Sequence, residues 1–267
     1  FTAVIKCYTA EDFAASRRKA KSSMQSGNGL RLARAIGRSR RHQFIILPWI
    51  EGNLLRDKLR QGEASDEDLQ RVACALAEFH RQPPTRKLQP QRTQDEALRI
   101  RKVGGDVSYL LPHLAGRVRH LSESIARQVM EFPHIETPTH GDFHSKQVVI
   151  NPSDIGVLDL DEAHLGDPLL DLANFLGHLE IYQLRGQLSR DDSERIADIF
   201  LNAYQQSSGP VDMHRLQFRL LASLMRLLHA PFRNCLSDWP QRMERTLGRI
   251  EQLAAEYGVP PRTSQAT

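Results

Sequence analysis

Up to about residue 48, apolar and polar positions alternate in short stretches; further along they recur every three to four residues. Residues 2–8 (TAVIKCY) alternate and are rich in β-branched side chains, which predicts a strand carrying Lys6. A helix is expected from Glu11 to about Met24, stopped by the Ser-Gly-Asn-Gly run at 26–29. Residues 30–36 read as a second strand and 44–47 as a third, which ends at Pro48. Together the three predict one small sheet, followed by a connector at 49–52.

Helical spacing then takes over. Ser65 is placed to cap a helix running to about His80, with Asp66, Glu67 and Asp68 suited to its first turn. Residues 81–95, rich in Pro, Gln and Arg, are expected to form an exposed linker, with helices around 94–102 and 109–132. A compact β island follows, with a loop at 137–144 and strands at 147–151 and 156–160. From about 168 to 257 the pattern is helical, and Leu220, Leu221, Leu224, Leu227 and Leu228 form a core stripe. There is no internal repeat, and the last eight residues are expected to fray. The fold class is therefore α+β in two lobes: a small β-containing front at 1–48, a hinge at 49–53 and a large helical back at 54–267.

The 267 residues suffice for two lobes sharing a cleft, and 40% hydrophobic with 25% charged residues suits a globular chain. No apolar run is long enough to cross a bilayer, so no membrane partner is expected. No leader pattern is visible. Cys7, Cys74 and Cys235 are odd in number and far apart, which suggests three buried thiols in a reducing, cytoplasmic setting. The net charge of +4 is modest, but residues 1–42 hold ten Lys or Arg against only Glu11 and Asp12. That excess suits a lobe handling polyphosphate, and Arg17, Arg18, Lys19 and Lys21 read as a solvated helix face, so no nucleic-acid partner is expected.

The chemistry concentrates in residues 139–173, THGDFHSKQVVINPSDIGVLDLDEAHLGDPLLDLA. Asp142 stands just before one of the two predicted strands and Asp159 at the end of the other, so an antiparallel pair brings both carboxylates to one mouth. Two carboxylates there can divide the labour of phosphoryl transfer. One accepts or orients the proton of an attacking hydroxyl while the other holds Mg²⁺. The Gln147 amide oxygen can complete the metal's shell, because hard cations prefer oxygen.

These residues resemble the aminoglycoside phosphotransferase and choline kinase family, of kinase-like fold. His140, Gly141 and Asp142 match its catalytic loop, with Gln147 where the family has Asn. Val157, Leu158 and Asp159, then Gly166, Asp167, Pro168, Asp171, Leu172 and Ala173, match its metal motif. The resemblance implies an ATP- and Mg²⁺-dependent kinase acting on a small-molecule hydroxyl, with Asp142 catalytic and Gln147 and Asp159 on the metal. It implies that Lys6 contacts the α- and β-phosphates, and that Pro48 (through its carbonyl) and Ile50 (through its N–H) meet adenine in the hinge at 44–52. The run Leu76-Ala77-Glu78-Phe79-His80 is similar to a helix end in the same family. His140 is expected to hold the loop through backbone hydrogen bonds, Asp167 to cap the helix starting at Pro168, and Asp171 to brace the loop.

The chain departs from the family in offering no Glu in the middle of the helix after Lys6, so the partner of that lysine stays open. The family's two leading strands and phosphate loop are expected from residues ahead of Phe1, and the glycines at 27–29 are read as a turn ending the helix. Asp142, Asp159, Asp161 and Glu162 make the mouth acidic, which favours a cationic acceptor such as an aminoglycoside or an amino alcohol. Two alternatives remain: a metal-dependent hydrolase using His140, Asp142 and His144, and a nucleotide-binding scaffold without turnover.

Overall fold

The first strand, β1 (Ala3–Cys7), is followed by α1 (Ala10–Lys19). A computed structural model describes residues 2–19 and 24–259. The far end of the helix expected up to Met24, Lys21 of its expected solvated face, Phe1 and the last eight residues, expected to fray, lie outside the described residues; Met24 itself is buried and non-helical.

The strand expected at 30–36 forms only at 30–32, and a separate strand begins past its end at 37; the two join different sheets. β2 (Leu30–Leu32) runs parallel to a strand of the β island, while β3 (Gly37–Ser39) pairs with β4 (Phe44–Pro48). Leu30 and Leu32 bury and Arg31 does not, as alternation demands, but Ile36 is 53% exposed and has no core to meet. The front sheet is antiparallel in the order β1-β4-β3, with Lys6 opposite Ile45 and Ala3 opposite Pro48.

Beyond the hinge come β5 (Asn53–Leu54), α2 (Leu55–Gln61) and α3 (Asp66–His80). Ser65 caps α3 in a reciprocal box with Asp68, satisfying two backbone donors at once. The expected exposed linker at 81–95 is largely pinned: Leu88 is 1% exposed, and Gln89 and Gln91 exchange backbone hydrogen bonds with Leu165. The break expected near residue 103 is also absent, because α4 (Thr93–Leu110) runs through Gly104 and Gly105. A Cβ at Gly104 would lie 2.3 Å from Ser122 Oγ on α5 (Ala115–Met130), so this glycine lets two helices touch.

The β island holds four strands rather than two. β6 (Thr137–Thr139), expected as loop, pairs with β9 (His164–Gly166), and between them β7 (Val148–Ile150) and β8 (Ile155–Val157) form the expected hairpin. The helical remainder is α6 (Leu169–Leu184), α7 (Arg190–Ser208), α8 (Met213–Leu228), the short α9 (Ala230–Arg233) and α10 (Trp239–Glu256). Leu220, Leu221, Leu224 and Leu228 of the expected stripe are buried and Leu227 is half-buried. All three cysteines are exposed and unbridged, correcting the expectation of buried thiols. Among the described residues no helix is long and apolar enough to cross a membrane.

Candidate active site

The loop after β6 is held from below by one carboxylate. Asp171, in the first turn of α6 and fully buried, accepts the His140 backbone N–H at 2.6 Å through Oδ2 and the Gly141 N–H at 2.8 Å through Oδ1. The His80 Nε2–H, at the end of α3, donates to Oδ2 at 3.0 Å, while Tyr204 donates its hydroxyl to His80 Nδ1 at 2.8 Å. Burial alone would push the Asp171 carboxyl up, but the hydrogen bond from His80 and the charges and N–H group beside it hold it below its ordinary value. Gly141 adopts φ +82°, and a Cβ there would sit 2.3 Å from the Glu162 carbonyl, so only glycine fits.

His140 is wholly buried and both ring nitrogens are engaged: Nε2–H donates to the Leu158 carbonyl at 2.7 Å, and Nδ1 accepts from the Asp142 N–H at 3.3 Å. Phe143, 1% exposed, drives the loop into the core against Phe175 and Phe200 at centroid distances of 6.3 and 6.5 Å. With neighbours locked on either side, Asp142 stays half-buried at the surface of the loop.

Asp142 meets a cationic and imidazole surround. Its carboxylate lies 3.5 Å from His144 Nε2 and 3.9 Å from Arg226 Nη2. Burial would raise its pKa, but His144 first and Arg226 next outweigh that, leaving the carboxyl below its ordinary value and ionised at neutral pH. His178 of α6 stacks on His144 at 4.0 Å, and burial, with the His144 charge next, holds its pKa well below the usual value, so it is neutral. The trio that converges is therefore Asp142, His144 and His178, with ligand atoms within 4.8 Å of one another. It is not the expected His140, Asp142 and His144 set, because the first imidazole is spent on the backbone.

At the other side of the site, the pairing of Val148 with Val157 leaves Gln147 and Asp159 at the same end of the β7–β8 hairpin. Asp159 adopts the left-handed conformation (φ 52°), one that Asp tolerates better than most side chains. Lys6 donates to Asp159 Oδ1 at 2.6 Å and also pairs with Asp161. This settles the partner left open in the sequence: no glutamate of α1 is used, and the carboxylates come from 153 and 155 residues further along. Burial would lower the Lys6 pKa, yet its hydrogen bonds to Asp159 and Asp161 raise it above the ordinary value. A cleft of about 780 Å³ is lined by Lys6, Pro48, Ile50, Gln147 and Asp159 together, and Lys146 lines it too. Asp159, Asp161 and the Gln147 amide are all hard oxygen donors, a set that fits a magnesium ion.

Asp167 accepts the Leu169 N–H at 3.1 Å at the start of α6, and its Oδ2 takes Arg215 at 2.5 Å and Arg219 at 3.2 Å. Arg219 is 2% exposed and also pairs with the buried Glu96, forming an ionic lock beneath β9. Sequence reasoning missed Asn174, His178 and Arg226. The Asn174 amide donates to the Gly141 carbonyl at 3.1 Å, and Arg226 reaches the Asn174 side-chain oxygen at 3.4 Å. Polar side chains inside the apolar stripes of α6 and α8 were the available signal.

Residues 25–219 match the phosphotransferase enzyme family (APH). No curated protein matches the sequence. Among solved structures the chain is similar to the aminoglycoside phosphotransferase APH(4)-Ia in ternary complex with AMP-PNP and hygromycin B. That pair shares 18% identity at a TM-score of 0.65, covering 94% of this chain and 83% of that one. It is similar also to the gentamicin–APH(2")-IIa complex, at 14% identity and a TM-score of 0.63, covering 97% and 87%. A third likeness is the choline kinase LicA from Streptococcus pneumoniae, at 13% identity and a TM-score of 0.63, covering 94% and 86%. These likenesses establish a kinase-like fold with a small β-containing lobe and a helical lobe, and the match over residues 25–219 shows that the chain belongs to the phosphotransferase enzyme family.

Proposed function

We propose that the chain is a kinase moving the γ-phosphoryl group of ATP, with Mg²⁺, to a hydroxyl of a small molecule. Family membership supports a small-molecule phosphotransferase. The observation that carries the finer reading is an ionised carboxylate, Asp142, on a loop locked at both neighbours and next to a cleft lined by Lys6, Gln147 and Asp159.

In this reading the acceptor's hydroxyl oxygen bonds to the γ-phosphorus as the bond to the leaving β-phosphate oxygen breaks, and the hydroxyl proton passes to Asp142. Asp142 is suited to that proton because it is ionised and because its backbone is held to His140 through its own N–H. Magnesium, when bound, would offset negative charge on the phosphates; Asp159 and Gln147 are the residues to hold it, with Asp161 beside them. Lys6 supplies the front-lobe cation for the α- and β-phosphates. The backbone at Pro48 and Ile50 supplies the adenine contacts at the far wall of the cleft.

The test is an ATP-consumption screen over hydroxylated compounds, run on the chain and on Asp142→Asn. The variant should bind nucleotide nearly as well and transfer about 10² to 10⁴ times more slowly. Near-normal turnover in it overturns the assignment.

A further inference from the structure

Next to Asp142, on the side of α6 and α10, lies a cavity of about 410 Å³ whose lining includes Lys146, Arg185, Arg242 and Arg245 and no carboxylate. Leu227 and Pro231 add apolar surface. The cavity adjoins the reacting centre. His178 lines it and brings a ring nitrogen within 4.8 Å of the Asp142 carboxylate, and Lys146 lines both this cavity and the nucleotide cleft.

The positive charge there is poorly offset. Asp238 pairs with Arg242 at 2.6 Å, but among the described residues no carboxylate pairs with Lys146, Arg185 or Arg245. Of the acidic groups expected to draw a cationic acceptor, Asp159 and Asp161 both hold Lys6 on the nucleotide side, and Asp142 faces His144 and Arg226. A polycation in this cavity would face like charge at close range, a juxtaposition that costs several kcal/mol. A carboxylate or phosphate would instead find guanidinium forks of matching geometry.

We infer that this cavity is the acceptor subsite and that its acceptor is a hydroxyl compound carrying an anionic group, carboxylate or phosphate. The inference rests on the phosphotransfer reading above. The hydroxyl end lies toward Asp142 and His178, and the anionic end reaches Arg185 and Arg245 at the rim.

The experiment is calorimetric titration of the full chain with four probes of similar size and different charge: glucose, glucosamine, gluconate and glucose 6-phosphate. Each is titrated with and without saturating Mg²⁺ and a non-hydrolysable ATP analogue. At least one anionic probe should bind about tenfold or more tighter than glucose, with glucosamine weakest. Whichever anion wins separates a carboxylate acceptor from a phosphorylated one. Arg185→Glu and Arg245→Glu, both at exposed positions, should each weaken that anion about tenfold, with unchanged melting temperatures showing that the fold is kept. Glucosamine binding as tightly as either anion, equal affinity for all four, or no anion binding overturns the inference. The titration of the ATP analogue alone tests the underlying reading separately: its failure to bind would remove the kinase assignment, whereas anion capture would still be read from the nucleotide-free arm.

Discussion

Replacing Asp171 by Asn changes one buried atom and should unsettle the whole loop at 140–147. The carboxylate takes two backbone N–H groups on different oxygens, His140 on Oδ2 and Gly141 on Oδ1, and His80 also donates to Oδ2. An amide has only one acceptor oxygen. If its nitrogen takes the place of Oδ1 it faces the Gly141 N–H, and if it takes the place of Oδ2 it faces the His140 N–H. At least one buried donor is orphaned either way, which costs about 1–3 kcal/mol, and the surviving bonds lose their charge assistance, worth about 1 kcal/mol more. Burying a neutral amide in place of a carboxylate returns part of this. The net loss should be about 2–4 kcal/mol, which is about 4–16 °C in melting temperature for a chain of this size.

The effect should depend on pH in a definite direction. The Asp171 carboxyl is held below its ordinary value, so its stabilisation is complete above the unfolded pKa, about 3.9, and is lost as pH falls through the lower, folded value. The gap between wild type and Asp171→Asn should therefore be widest near neutrality and narrow below about pH 4. Urea denaturation followed by circular dichroism at pH 7 and at a series of acid pH values measures both quantities. A loss under about 1 kcal/mol at pH 7, or a gap that does not narrow in acid, refutes the bracing argument.

Three further outcomes follow from the same geometry. Phe143→Ala should cost about 3–5 kcal/mol of stability, read by denaturant midpoint, because this side chain fixes the loop between Phe175 and Phe200; a loss under about 1 kcal/mol would mean the ring is not the anchor. Gly141→Ala, with its Cβ 2.3 Å from the Glu162 carbonyl and φ at +82°, should destabilise by about 1–3 kcal/mol or more and abolish transfer; a variant with unchanged melting temperature would contradict the steric argument. In a Mg²⁺ titration of ATP-analogue binding, Asp159→Ala should lose more than Gln147→Ala, since a carboxylate brings charge and an amide only a dipole; the opposite order would move the principal ligand to Gln147.

The switch from alternation to helical spacing was enough to give a two-lobed α+β fold, and the motif blocks at 140–147 and 157–173 were legible because their residues are contiguous in the chain. What escaped was short or distant. β6 and β9 are three residues each, too brief for alternation to register. β2 has a strand pattern, but its partner β8 lies 125 residues away, and nothing local tells which sheet receives it. The same distance hid the carboxylates on Lys6. The interruption expected between 102 and 109 is absent because Gly104 lets α4 continue in close contact with α5, a neighbour that the local sequence does not reveal.

The missed residues of α6 obey a rule that was available. Almost every position of this helix is buried, so its polar side chains are costly unless each has a partner. Glu180 pairs with Arg249, while four others, Asp171, Asn174, His178 and Tyr182, are spaced by three, four and four, which keeps them on one face. Each meets the catalytic loop in chain order: Asp171 holds the N–H groups of His140 and Gly141, Asn174 the Gly141 carbonyl, His178 the His144 ring and Tyr182 the Ser145 hydroxyl at 2.9 Å. The loop thus descends the helix one contact at a time, and a shift of one residue, about 100° of rotation, would break all of these contacts together. Arg185 is the next position on that face, just past the helix end, and there the loop has turned away into β7. A side chain that continues the polar face after its protein partner has run out is available to a ligand, and the cavity at Arg185 is where an acceptor would meet it.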